Sequence, residues 1–399
     1  MAGPVDPRTG LSAARFGVYV HFPFCLSKCP YCDFASIAAK TVPEVRYTDA
    51  VLRELELRLA VWPSVPPPVD SIFIGGGTPS LWSPPLVARL LERLASRLSL
   101  AQGVEVTLEA NPGAADLERF AAYRAAGVTR LSMGVQSFTP STLAALGRAH
   151  DGPTALRAFA AARAAGFDNV SMDFIYGVHG QTVAQVEADA TQAAALGAEH
   201  LSAYALTLDR ESLAEEVPLA RQLRRGEVSL PVDDEVVRMQ RVVREVYAAS
   251  GLERYEVSNY ARPGRHSRHN SLYWTGGDYL ALGVGATGTL PLAEGRVRWS
   301  NHRSAEQYLA QVEAGALPQA THEVLTPLEQ FEERVAMGLR LVSGVDLWAL
   351  CRDFAQPTAE REKTVAMLVE HGLARELDGR LALTEAGFDV HSAVSARLM

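Results

Sequence analysis

Three of the chain's four cysteines, Cys25, Cys29 and Cys32, fall within the stretch HFPFCLSKCPYCDFAS, residues 21–36. Three chemistries suit thiols at that spacing. A zinc site of three cysteines and one histidine would take His21 as its fourth ligand. A redox pair would use Cys29-Pro-Tyr-Cys32, a C-x-x-C arrangement that lowers thiolate pKa values. A cubane [4Fe–4S] cluster would use all three thiolates and leave one iron without a protein ligand. The last reading accounts for most: a vacant iron is a defect in an electron carrier but a requirement where a chelating substrate must bind. Cys351 lies more than three hundred residues from the others. Four cysteines in 399 residues make no disulfide framework, which points to a reducing compartment.

Other residues are chemically suggestive but less specific. Gly75-Gly76-Gly77-Thr78-Pro79 lacks the Gly-Lys-Ser/Thr ending of a phosphate loop. Placed after a strand, it would let the backbone approach a ligand closely. Glu109, in Glu-Ala-Asn-Pro, either binds a ribose hydroxyl or caps the following loop. His269-Asn-Ser-Leu-Tyr273-Trp274 also reads two ways. The imidazole could ligate haem iron while the rings cover the porphyrin face. Equally, this is a polar turn with two aromatics packed in the core.

Such residues need a frame, and the chain predicts one. Phe16–His21 is apolar at nearly every position, as in a strand buried on both faces. A helix from about Glu44 to Trp62 follows, ended by Pro63, Pro66, Pro67 and Pro68. Strand Asp70–Ile74 runs straight into the glycines. Helix Pro84–Leu98, strand Val104–Glu109 and helix Asp116–Ala126 continue the alternation. The chain then repeats a Gly-x-x-x-apolar-Ser unit at Gly127, Gly166 and Gly197, with separations of 39 and 31 residues. Each unit follows an Ala-rich helix, so the glycine stops the helix and the apolar-Ser pair opens a strand. Helix–strand units at this pitch predict a parallel sheet. Six strands are complete by Leu206, fewer than the eight of a closed α/β barrel. Gln136 stands nine residues past its glycine, Asp173 and Tyr204 seven past theirs. Side chains alternate along a strand, so all three share a face near the strands' carboxyl ends, where α/β folds bind ligands.

The bulk composition narrows the function classes. Net charge is −8, which argues against a protein held to nucleic acid by phosphate neutralisation. No apolar run is long enough to span a bilayer. The first 15 residues read as a disordered lead without a signal peptide's apolar core, so a cytoplasmic protein is expected. RESLAEEVPLARQLRRGEVSLPVDDEV, from Arg210, reads as a connecting excursion. Helix Asp233–Ser250 and a mixed region come next. The last part carries helical patterns at Pro327–Leu341 and Lys363–His371, then a hairpin signal around Asp378-Gly379. That makes a winged-helix-like module. Its 12 acidic against 8 basic residues over Leu325–Met399 favour an interaction or lid role over DNA binding.

C-x-x-x-C-x-x-C after the first strand and Gly-Gly-Gly-Thr-Pro after the second resemble the radical S-adenosylmethionine (SAM) superfamily. YVHFPFCLSKCPYCDF, FIGGGTPSLW, EANP, LSMGVQSF, MDFIYGVHGQT, YEVSNYARPG and HNSLYW, in that order, are similar to the HemN-like family. It includes the oxygen-independent coproporphyrinogen III dehydrogenase and the haem chaperones of the HemW branch. The resemblance implies an α/β fold: a partial (β/α)6 radical SAM barrel over 16–225, a mixed region with the HNxxYW motif over 226–322, and a C-terminal α+β winged-helix-like domain over 323–399. It implies a [4Fe–4S] cluster on Cys25, Cys29 and Cys32, with SAM chelating the open iron. Tyr19, Gly76, Glu109 and Thr287 would flank that SAM. Tyr31, Gly77, Thr78, Gln136, Arg148, Asp173 and Ala205 would line an adjoining second SAM site. His269, Tyr273 and Trp274 are the implied haem-binding candidates. The dehydrogenase branch carries a further cysteine two residues after the third thiol; here that residue is Phe34. The expectation is therefore a chaperone that binds haem and transfers it to respiratory haem enzymes. The alternative is oxidative decarboxylation of coproporphyrinogen III.

Overall fold

All six expected strands form, in order: β1 (Phe16–Phe22), β2 (Val69–Gly76), β3 (Leu100–Ala110), β4 (Arg130–Gln136), β5 (Val170–Tyr176) and β6 (His200–Ala205). They lie side by side in chain order, every pair parallel. The computed structural model describes residues 16–114, 116–208 and 217–399; the lead and the start of the excursion at Arg210 lie outside these. The repeat glycines do what their positions require. Gly127, Gly166 and Gly197 have φ of 107°, 87° and 74°, conformations that a Cβ makes costly, and each follows a helix end. Asp116, Asp151 and Thr182 cap helices Leu117–Ala125, Gly152–Ala164 and Val183–Ala195 by accepting backbone N–H bonds.

The sheet does not stop at six strands. The mixed region adds β7 (Glu253–Arg254), β8 (Asn259–Ala261), β9 (Asp278–Leu282), β10 (Thr287–Leu292), β11 (Gly295–Asn301) and β12 (Gln319–Val324). The twelve strands run β12-β11-β10-β9-β1-β2-β3-β4-β5-β6-β8-β7. β9 is parallel to β1 and the outer strands are antiparallel. A buried polar knot fastens this extension: Glu54 accepts from Arg58, Asn301, Tyr308 and the Gly283 amide. With four donors on one carboxylate the buried charge is compensated.

One face of each barrel strand packs apolar residues against the helices, with Val18, Val20, Leu108, Leu131, Met133 and Met172 almost wholly buried. The other face turns into a lumen that is unusually polar, with Ser71, Thr107, Arg130, Ser132, Ser171, His200 and Ser202 buried there. Helix Arg268–Thr275 sits at the amino ends of β1 and β2, and a Cβ on Gly17 would meet Leu272 at 2.5 Å. The C-terminal unit has its own core of Phe331, Val335, Leu347, Leu368, Leu381 and Phe388, with Cys351 buried in it. Its hairpin, Ala374–Leu377 with Arg380–Leu383, turns through Asp378 and Gly379 at φ 50° and 76°, as a two-residue primed turn demands. No helix among the described residues is long and apolar enough to cross a membrane.

Candidate functional site

A cavity of about 360 Å³ opens at the carboxyl ends of the barrel strands. Cys25, Cys29 and Cys32 all line it, on the loop after β1, together with Tyr31 and Phe34. A two-residue ribbon, Phe24–Cys25 with Ile37–Ala38, closes that loop at its base. Each sulfur has a hydrogen-bonding neighbour: Thr78 Oγ1 donates to Cys25 at 3.4 Å, Arg148 Nη1 to Cys29 at 3.5 Å, and Ser36 Oγ is 3.9 Å from Cys32. These contacts offset only part of the burial that pushes the Cys25 and Cys32 thiols up. Among the described residues no three His, Cys, Asp or Glu converge on one point as a single metal ion requires. A cubane instead asks for one thiolate at each of three separate irons, and three soft donors around one cavity suit that group. His21 does not join them. Its Nε2 is 2.9 Å from Ala35 O and its Nδ1 is 2.9 Å from the Tyr19 hydroxyl. Burial holds its pKa down at about 4, so the ring is neutral and pins the far end of the loop.

The glycines after β2 form the next wall. Gly76 has φ of 116°, and a Cβ there would lie 2.6 Å from the His21 ring; one on Gly77 would lie 2.8 Å from Phe24 O. Only glycine lets this turn pass under the cysteine loop. Its amides are committed: Gly77 N–H to Phe22 O, Thr78 N–H to Phe24 O, and Gly76 N–H to Glu109 Oε2 at 2.9 Å. Glu109 is therefore more than a loop cap. Burial, with some help from the charge of Asp173, pushes its pKa up to about 8 against the pull of the Gly76 amide. Asp173 is also raised by burial, and it accepts from Ser132 Oγ at 2.9 Å.

The alternation argument places Gln136, Asp173 and Tyr204 on one cavity wall, and all three line it. The route differs at Gln136. β4 carries a bulge, so Gly134 pairs with Asp173 but Gln136 pairs with Phe174. Gln136 takes φ of 66° to stay inside. Arg148 closes the site by donating to Asn111 Oδ1 and Gly134 O at 3.1 and 3.0 Å. Asn111 and Ser132 line the cavity too; they fall within the Glu-Ala-Asn-Pro motif and the Gly-x-x-x-apolar-Ser repeat, but the sequence reading gave neither a role in the site.

The remaining candidates lie elsewhere. Tyr19 lines a smaller, polar cavity of about 210 Å³ below the first, sharing Glu109, Ser132, Asp173 and Tyr204 with it. Ala205, at the end of β6, does not line the upper cavity; nor does Thr287, whose hydroxyl is 2.7 Å from Ser300 Oγ. His269 and Tyr273 line the lower cavity. His269 is fully buried, with Nδ1 2.9 Å from Ser71 Oγ and Nε2 2.9 Å from the Tyr273 hydroxyl. Burial lowers its pKa to about 3. Neither nitrogen is open to an iron while the helix keeps this place. Trp274 faces the other way, beneath the Arg340 guanidinium at 4.4 Å, which ties the helix to the C-terminal unit.

Residues 19–193 match the radical SAM superfamily model, and residues 325–390 match the HemN C-terminal domain. Over 388 residues the chain is 39% identical to the heme chaperone HemW of Mycobacterium tuberculosis, covering 96% of this chain and 95% of the relative. The chain belongs to the HemW family. The heme chaperone HemW of Escherichia coli is 38% identical over 281 residues, 70% of this chain and 71% of that one. In structure, the E. coli coproporphyrinogen III oxidase HemN aligns with a TM-score of 0.81, covering 98% of this chain and 91% of that chain at 22% identity. That likeness is one of fold. It bears out the α/β radical SAM architecture with its C-terminal HemN-type domain. Membership of the superfamily implies SAM and a [4Fe–4S] cluster, and the HemW family implies haem.

Proposed function

We propose that this chain is a cytoplasmic haem carrier that passes haem to haem-dependent respiratory proteins. It holds a [4Fe–4S] cluster on Cys25, Cys29 and Cys32. The observation that carries this reading is the composition of one cavity wall: three thiols and, where a further cysteine would make the decarboxylating branch, the side chain of Phe34. The heme chaperones to which the chain is similar support it.

Bound there, the cluster would offer one open iron to the amino and carboxylate groups of SAM and a single electron. The protein's own residues have separable tasks. The glycine turn brings its backbone within reach of the ligand, and Glu109 offers a carboxylate to a ribose hydroxyl or to the ligand's positive charge. Arg148 supports the Cys29 sulfur and, with Gln136, Asp173 and Tyr31, bounds the adjoining space. Ala205 and Thr287, which do not line this cavity, are carried by the resemblance alone.

The test is an anaerobic preparation with reconstituted cluster, given SAM and coproporphyrinogen III, with haem binding titrated in parallel. Haem should bind at one per chain, with no catalytic formation of protoporphyrinogen. Sustained turnover of coproporphyrinogen III would overturn the carrier reading in favour of oxidative decarboxylation.

A further inference from the structure

The lumen below the cysteine-lined cavity holds a charge that the proposed function leaves unused. Arg130, the first residue of β4, lines the lower cavity of about 210 Å³. The residue is 2% exposed, and its Nε has no hydrogen-bond partner. Opposite it in register on β3, Thr107 is fully buried, with Oγ1 also unpartnered. An unpaired buried guanidinium is costly, so the site calls for a group that completes it. The two carboxyls of the same cavity do not. Glu109 stands level with Ser132 and Asp173 with Gly134, one and two lumen positions above Arg130. Each such step is roughly 7 Å along a strand. Glu109 Oε2 accepts from the Gly76 amide and Asp173 Oδ2 from Ser132 Oγ. Burial raises the pKa of both, and the charge of Arg130 opposes it only in part. Among the described residues the guanidinium has no ion-pair partner.

We infer that the lower cavity is a carboxylate site, with Arg130 as the group that holds the anion. Two parallel N–H bonds from a guanidinium match a carboxylate, and the match is strongest away from water. Asn270, on the helix at the amino ends of β1 and β2, lines the same space and offers an amide. The volume admits a short acid such as propionate but not a macrocycle. Two sources share this chemistry. One is a free small acid. The other is a propionate arm of haem reaching inward past that helix; this source rests on the haem-carrying reading, and the first does not. Glu109, Ser132, Asp173 and Tyr204 line the upper cavity as well, so a carboxylate on Arg130 lies under the floor of the cysteine-lined space.

The test uses the anaerobically reconstituted full chain. Sodium propionate is titrated by calorimetry against sodium chloride at equal ionic strength. Haem and its dimethyl ester, which lacks free carboxylates, are titrated in parallel by the Soret band. If the source is a free acid, propionate binds saturably, Arg130→Met raises its Kd about tenfold or more, and Arg130→Lys raises it less. If the source is haem, haem binds more tightly than its diester, and Arg130→Met removes that preference. Either result supports the site. If neither ligand's binding depends on Arg130, the guanidinium is merely hydrated and the inference is overturned. It is overturned equally if Arg148→Met, and not Arg130→Met, weakens propionate, which puts the anion in the upper cavity. Should Arg130→Met fail to fold, Thr107→Asp decides, since it builds a carboxylate opposite Arg130. Both effects should vanish with iron per chain unchanged, and undiminished binding overturns the inference. A chain that binds no haem at all sinks the carrier reading, while the propionate titration still tests the cavity.

Discussion

Ser71 Oγ lies 2.9 Å from Nδ1 of His269, a bond that joins the second barrel strand to a helix 198 residues further along the chain. The other imidazole nitrogen meets Tyr273, and Trp274 lies under Arg340 of the C-terminal unit. The HNSLYW motif therefore closes the amino end of the barrel and fastens the C-terminal unit to it. The cysteine-lined cavity lies at the opposite, carboxyl end.

His269→Ala removes two buried hydrogen bonds and leaves Ser71 and Tyr273 without their partner. Each unsatisfied buried group costs roughly 1–3 kcal/mol, so we expect a loss of about 2–4 kcal/mol in denaturant unfolding. Selective loss of haem with unchanged stability would show that the imidazole is a ligand.

Anaerobically reconstituted protein should carry about four irons per chain. Cys25→Ser, Cys29→Ser and Cys32→Ser should each remove nearly all of them, while Cys351→Ser, in the core of the C-terminal unit, should retain them. Iron and sulfide analysis with the visible spectrum checks this. Zinc in place of iron would refute the cluster.

Glu109 is mostly protonated at pH 7, because burial puts its pKa at about 8. A cationic ligand such as SAM favours the carboxylate. Binding should therefore release protons near pH 7 and tighten as pH rises from 6 to 8. Calorimetry in buffers of different ionisation enthalpy reads the proton. Glu109→Gln, which keeps an acceptor for the Gly76 amide, should abolish the proton release and weaken SAM about tenfold.

Acid should destabilise the fold. His269 and His391 are lowered to about 3 and about 4 by burial, and His200 falls well below its usual value for the same reason. Unfolded, each would titrate near 6.5. Their contribution is therefore complete above that pH and declines as pH falls toward 4, by up to about 1.4 kcal/mol per unit for each histidine. Glu109 works oppositely, since its raised pKa favours the fold at low pH and loses that contribution as pH rises through 8, which offsets about one histidine. His21, lowered to about 4 by burial, adds to the histidine side, so unfolding at pH 5.5 should take up protons on balance. A denaturant midpoint that stays flat from pH 7.5 to 5.5 contradicts this.

Much of the site was legible because its signals are local. The cysteine spacing, the glycine turn and the three repeat glycines each act within a few residues, and parity along a strand brought Asp173 and Tyr204 to one wall. The bulge at Gln136 was not legible: strict alternation does not foresee the register shift between Gly134 and Gln136 or the left-handed φ at Gln136. The strands beyond β6 escaped for another reason. They are short or antiparallel, and β9 joins the barrel by pairing with β1 across more than 250 residues of chain. HNSLYW stayed ambiguous because a buried histidine and a ligating one look alike until the partners of both nitrogens are known. Ala205 and Thr287 came from resemblance alone, and a motif match does not say which residues face the cavity.

The central claim is that haem leaves this chain for another protein. Haem-loaded, cluster-reconstituted protein mixed anaerobically with an apo respiratory haem protein should lose its Soret signature as the acceptor gains its own spectrum and activity, faster than acceptor given haem from serum albumin. Haem that stays on the chain, or reaches the acceptor no faster than from albumin, would contradict the account.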